Sequence, residues 1–292
     1  MTTYYAEPGR RNPVRRVSTS LKRLDLASLA VLPAGVAIVL VAQLLEGGAA
    51  RSLVQGPAAL IVFGGTFAAL LISYSPRDVW RAIRAAARTF LRADDDAKTL
   101  TSRLVGYAVR TQRKGVLMLE EELDAIDDPF LRTGIALVVD GAPMAQLKDI
   151  LAAARSASEA DEDAPARVFE AAAGYAPTLG ILGAVLGLIQ VMEHLSQPGA
   201  LGSGIAVAFV ATVYGVGAAN LVFLPIAGRL RERAAAADRR RELVSEGVYA
   251  LHQRMHPRLV AERLRAFADD MSRMQDIAGR VSSATRATRV SA

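Results

Sequence analysis

Four stretches of this chain carry no Asp, Glu, Lys, Arg or His: residues 26–45, 57–75, 171–192 and 204–228. Each is close to the roughly 20 apolar residues that a helix needs to cross about 30 Å of hydrocarbon. All 35 basic and 29 acidic residues lie in the segments between and beyond them. A bilayer imposes that segregation, because an ionised group near its centre costs about 3 kcal/mol or more. Four separate charge-free runs of this length are hard to build into a soluble core, so the chain reads as an all-α membrane protein with four transmembrane helices.

The runs pair into two hairpins. The turn around Glu46-Gly47-Gly48 and Arg51 joins the first two, and Ser196-Gln197-Pro198-Gly199 joins the last two. The segmentation expected is a basic extension over 1–23, a first hairpin over 24–76, a helical region over 77–170, a second hairpin over 171–228 and a charged helical tail over 229–292. Within the central region, Asp94-Asp95-Asp96 and residues 156–165 read as loops or helix starts. The last residues, rich in Ser, Thr, Ala and Arg, read as partly disordered.

Arginine sets the orientation. The extension holds Arg10, Arg11, Arg15 and Arg16, and Arg229, Arg231 and Arg233 follow the fourth run directly, while the two short turns carry almost no basic residue. The positive-inside rule then places both termini and the central region in the cytoplasm. The apolar run after the basic extension is too long for a cleaved secretory signal, which makes it an uncleaved span.

Composition narrows the chemistry. With no cysteine there is no thiolate catalysis and no Cys-ligated metal, and three histidines offer little for a metal site. Phosphate-cradling, nucleophile-elbow and zinc-protease motifs are absent, so neither an enzyme nor a cofactor is expected. A pI near 9.9 raises nucleic acid as a partner, but aromatics are only 5% of the chain and supply no stacking platform. The excess charge suits a surface beside anionic lipid.

Inside the spans the informative residues are few. The third run contains Gly180, Gly183, Ala184 and Gly187, and the fourth a similar series, Ala208, Ala211, Gly215 and Ala219. Small residues let helices approach closely in lipid, either within a hairpin or between subunits. Pro177 and Pro225 each remove a helical hydrogen bond. Polar groups are limited mainly to Thr66, Thr212, Tyr214 and Asn220. A proton route normally needs a titrating group within the membrane. If this chain helps conduct protons, that carboxylate must come from a partner, with Thr212 supplying a hydroxyl beside it. The plainer role for Thr212 is a bond back to its own helix carbonyl. In the central region, Arg113-Lys114 precede Glu120-Glu121-Glu122 by about two turns, which on one helix would give a bipolar charged face.

The blocks 175–190, 204–215 and 220–227, with Ile61-Val-Phe-Gly-Gly-Thr66, resemble the MotA/PomA flagellar stator proteins within the MotA/TolQ/ExbB group. The likeness runs from about Leu26 to about Phe267. Two spans before the large cytoplasmic region favour the stator branch over the three-span ExbB and TolQ. The resemblance implies a pentamer of this chain around two copies of a MotB-like, single-span, peptidoglycan-binding protein. Proton uptake on that partner's Asp lets the ring step and turn the rotor protein FliG. It also implies residue roles. Pro177, Pro225, Ala184, Ala211, Thr212 and Tyr214 belong to ion flow and coupling. Ala184 stands where sodium-driven members carry Thr, and with Ala211 this favours protons. Glu120 matches the torque-loop Glu. The position eight residues earlier, often Arg in the family, is Gln112 here, so Arg110 or Arg113, with Lys114 beside them, would take that part. The alternatives are a MotA-like motor of a non-flagellar system and a four-span scaffold without ion coupling.

Overall fold

The computed structural model describes residues 37–38, 41–42, 44–45, 53–89, 97–196 and 198–267. The first expected span falls largely outside these. Its six described residues are helical and exposed. The basic extension, the first turn, the acidic run at 94–96 and the end of the tail also lie outside.

Every regular element among the described residues is helical. Helix α1, Gly56–Ser73, contains a π turn at Leu60–Gly64. A break at Tyr74 and Ser75, with Ser75 capping Asp78, leads into α2, Pro76–Thr89. Helix α3, Ala97–Lys114, stops at Gly115, whose φ of 87° is left-handed backbone that glycine adopts without strain. A ten-residue 3-10 segment, Val116–Ala125, then leads to α4, Pro129–Val139. Asp128 starts α4, its carboxylate accepting from the Phe130 and Leu131 amides.

Helix α5, Met144–Glu193, runs 50 residues without a break, about 75 Å at 1.5 Å per residue. Helix α6, Pro198–Gly217, widens into a π turn at Ala218–Phe223 and continues as α7, Leu224–His252. A final helical segment, α8, covers 257–267. Helix α1 and the apolar portions of α5 and of the α6–α7 rod are each long and apolar enough to cross a membrane.

The loop expected at 156–165 is instead the middle of α5. Pro165 there leaves only the Asp161 carbonyl without its helical partner, and tertiary contacts offset that loss. Arg167 donates to the Ala160 carbonyl one position away and pairs with Asp163, while Glu162 pairs with Arg241 of α7. Likewise α5 passes Pro177 uninterrupted, and the π turn before Pro225 keeps the α6–α7 rod continuous.

Two apolar bodies result. In the membrane part, Ala58 and Val62 of α1 pack with Ala176 of α5 and with Val207, Val210 and Ala211 of α6. A larger core joins Leu104, Leu119, Ile135, Leu147, Leu151, Leu243, Val248 and Leu264, all at most 1% exposed, from α3, the 3-10 segment, α4, α5, α7 and α8. Helix α5 is the rod shared by both bodies, and the α6–α7 rod connects them as well, with α6 in the first and α7 in the second.

A small-residue hairpin and an exposed charged turn

The third and fourth runs meet backbone to backbone. A methyl group built on Gly215 would lie 2.6 Å from the Ala176 carbonyl oxygen and 3.0 Å from the Gly180 Cα. One on Gly180 would lie 2.9 Å from the Ala211 carbonyl, and one on Gly187 would lie 2.8 Å from both the Ala208 nitrogen and the Gly204 carbonyl. The small residues therefore seal the α5–α6 hairpin within one chain. Helix α1 joins at Gly65, where a Cβ would meet Leu179 at 3.1 Å.

This seal brings several expected residues together. Pro177 lies beside Gly215, its Cα 3.1 Å from where a Cβ there would stand. Ala211 is fully buried against Gly183 and Gly180, and Ala184, one residue beyond Gly183, is half-buried. Thr212 is exposed, and its hydroxyl donates to the Ala208 carbonyl at 3.3 Å. Tyr214 turns elsewhere. Its hydroxyl donates to the Leu53 carbonyl at 2.5 Å and accepts from the Gln55 amide at 3.3 Å, and its ring lies 5.8 Å from Phe63. It ties the start of α1 to α6. Pro225 sits in the first turn of α7, well along the rod from the sealed segment.

The other span hydroxyls and amides are also used locally. Thr178 donates to the Tyr175 carbonyl and Asn220 to the Val216 carbonyl. Thr66, 3% exposed, has a hydroxyl with no partner. Large apolar side chains point outward on both helices of the hairpin, among them Ile181, Val185, Leu188, Phe209, Val213 and Val216.

In the charged region the chain reverses at Gly115, so Arg113 to Glu122 do not share one helical face as their spacing suggested. Glycine at a left-handed position ends α3, and the acidic residues return on the 3-10 segment. Arg110 meets Glu122 across this turn at 2.9 Å and covers the Tyr107 ring at 5.1 Å. Burial, with the Glu122 charge second, raises the Tyr107 hydroxyl above its ordinary pKa. Arg113, Lys114 and Glu120 are exposed and form no ion pair among the described residues.

Ion pairs tie the two rods together. Arg155 of α5 grips Asp238 of α7 with two bonds of 2.6 and 2.7 Å and reaches Glu242 at 3.2 Å. The hydrogen bond from Arg155 holds the Asp238 carboxyl below its ordinary pKa, and the same bond raises the Arg155 guanidinium. Arg231 bonds Glu170 at 2.7 Å, and Arg240 of α7 reaches Asp128 at the head of α4 at 3.2 Å. Sequence reading missed these links because their partners lie 61 to 112 residues apart, beyond any local pattern.

The sequence profile of the MotA/TolQ/ExbB proton channel family matches residues 122–243. Motility protein A of Treponema pallidum is 33% identical over 252 residues, 86% of this chain and 97% of that protein. The chain belongs to this family. The flagellar MotAB stator complex from Bacillus subtilis contains a chain with a TM-score of 0.74 and 28% identity, covering 82% of this chain and 95% of that one. The C. jejuni MotAB structure shares the fold at a TM-score of 0.78 and 24% identity, over 84% and 96% of the two chains. Of the features above, the sealed hairpin and the α5 and α7 rods as far as Leu243 fall inside the family match, and the turn at Gly115 precedes it.

Proposed function

We propose that this chain is the ring subunit of a proton-driven flagellar stator, held in the bacterial inner membrane with both termini in the cytoplasm. Five copies surround two copies of a MotB-like single-span partner, and the ring turns the rotor protein FliG. The reading is supported by likeness over nearly the whole length of Motility protein A and by the fold shared with the stator chains.

The observation that carries the mechanism is the α5–α6 hairpin. Within its two uncharged runs, 171–192 and 204–228, it offers no carboxylate, amine or imidazole to bind a proton in the membrane. Its backbones are in contact, so no water file runs between its two helices. It can form one wall of a path whose titrating Asp belongs to the partner. Thr212, exposed and donating inward to its own helix, keeps its oxygen lone pairs available on the outer face. Ala184 and Ala211 present no oxygen to a dehydrating sodium ion, which favours protons. Pro177, packed at the seal, and Pro225 would let the rods shift when the partner's charge changes.

The rods deliver that shift. Helix α5 spans from the charged region into the membrane as one element, locked to α7 by Arg155 and Arg241. The charged end presents Arg113, Lys114 and Glu120 to the rotor. Arg113 is the better counterpart of the missing basic residue at Gln112, because Arg110 is engaged by Glu122. Deleting the gene in a host with no second stator should leave flagella that do not rotate. Glu120→Lys should fail to restore swimming, and a compensating charge change on the rotor should rescue it. Swimming by the deletion strain would refute the assignment.

A further inference from the structure

Helix α2 begins three residues after α1 leaves the membrane, so it lies at the bilayer boundary. It is amphipathic. Val79, Ala82 and Ala86 are buried against α5 and α7, among them against Val168, Ala166 and Leu230. Flanking that buried face, Arg77, Arg81, Arg84 and Arg88 follow at steps of four, three and four residues, and all four are exposed. Trp80 and Ile83 stand among them, 55% and 42% exposed. An arginine-rich helix with tryptophan on its outer face suits the headgroup layer of a membrane.

These arginines line a cavity of about 780 Å³ between α2, α5 and α7. Its two carboxylates are already engaged. Asp161 pairs with Arg81 at 3.2 Å, and Glu162 pairs with Arg241. Arg77, Arg84 and Arg88 have no carboxylate partner among the described residues, and the Arg84 guanidinium lies 5.3 Å above the Trp80 ring. Arg233 also lines the cavity, donating to the Arg88 carbonyl at 2.8 Å. Burial, and then the charge of Arg229, lowers its guanidinium pKa.

We propose that this cavity binds the phosphate headgroup of an anionic phospholipid in the adjoining leaflet. The arginines would clamp the phosphate by charge-assisted bonds, while Trp80 and Ile83 lie against the glycerol and upper acyl chain. A bound lipid would fix the junction where α2 meets both rods. The inference needs only that the chain sits in a bilayer, and its test uses no motility readout, so its failure would leave the stator assignment untouched.

Trp80 is the only tryptophan of the chain and reports directly on the site. The purified full chain is reconstituted in vesicles of equal parts phosphatidylcholine and phosphatidylglycerol, with one lipid at a time brominated on its acyl chains. Brominated phosphatidylglycerol should quench Trp80 with a relative association several-fold higher, about fivefold for each engaged arginine. The Arg77→Gln/Arg88→Gln double variant should fall towards parity, and Arg77→Lys/Arg88→Lys should keep the preference. Both pairs are solvent-facing and leave the Arg84–Trp80 contact in place. Equal quenching by the two lipids, or none by either, would overturn the proposal. So would a preference lost in the lysine pair, or one abolished by excess inorganic phosphate, which would mark a site for soluble anions.

Discussion

Gly215→Ala tests the hairpin most severely. The added methyl would stand 2.6 Å from the Ala176 carbonyl oxygen, 3.0 Å from the Gly180 Cα and 3.1 Å from the Pro177 Cα. All three are backbone atoms, so no side chain can swing aside. Restoring ordinary contact, at about 3.4 Å, requires α5 and α6 to part by about 0.8 Å. A gap of that size forfeits roughly a quarter to a half of the dispersion energy of each neighbouring contact. The affected contacts include Gly180 and Gly183 against Ala211. Overpacking of this kind costs about 1–3 kcal/mol, against a helix-propensity gain of up to ~1 kcal/mol for replacing glycine with alanine. The control is Gly217→Ala, two residues along the same helix, where nothing lies within 4 Å of the new methyl. Thermal unfolding of the purified complex in detergent should show Gly215→Ala destabilised and Gly217→Ala unchanged or slightly stabilised. Equal midpoints for the two variants would show that α5 and α6 are not in backbone contact and would remove the sealed-wall argument.

Tyr214→Phe should keep the fold but lose about 1–3 kcal/mol, because the Leu53 carbonyl loses its donor and the Gln55 amide loses its acceptor. Denaturant titration of the variant checks this, and no loss would mean that Tyr214 does not tie α1 to α6. Arg155→Met strands Asp238 and Glu242 and should cost ~2 kcal/mol at neutral pH, less than for a fully buried pair because both ends are partly solvated. The Asp238 carboxyl is held below its ordinary value of 3.8, so its stabilising contribution is complete above that pH and disappears as pH falls below it. Acid unfolding should therefore show a component below about pH 4 in the parent that Arg155→Met lacks. Arg113→Glu should impair torque more than Gln112→Glu at equal expression, measured as tethered-cell rotation under load. Arg110→Ala, which releases Glu122, should act mainly through stability.

Much of the architecture was legible because a bilayer writes itself into sequence as charge segregation. Helices long and apolar enough to cross a membrane cover the second to fourth uncharged runs, and the tertiary ties that complete the fold did not appear in that pattern. The stretch at 156–165 combined Ser, Asp and Pro, all loop signals locally. It is helical because Arg155, Glu162 and Asp163 find partners on α7, residues distant in sequence. The reverse error occurred at 113–122, where helical spacing held on both sides of Gly115 and the glycine between them turned the chain. At the candidate site, the glycine and alanine series was visible, but whether it faced a neighbouring helix or another subunit depended on backbone distances. Tyr214 was grouped with the ion path by its place in a motif, and its geometry gives it a strut's contacts. The cluster around Trp80 was overlooked, although a lone tryptophan with four arginines just past a span is itself a membrane-boundary signature.

The central claim is that this chain forms the wall of a proton path and borrows the titrating carboxylate. It is tested by proton uptake into vesicles under a membrane potential. Vesicles with this chain alone should show no flux above lipid background. Vesicles with the chain and its one-span partner, freed of any periplasmic block, should conduct, and the same complex with the partner's span Asp changed to Asn should not. Flux through the chain alone, or through the Asn complex at the parent rate, would contradict the account.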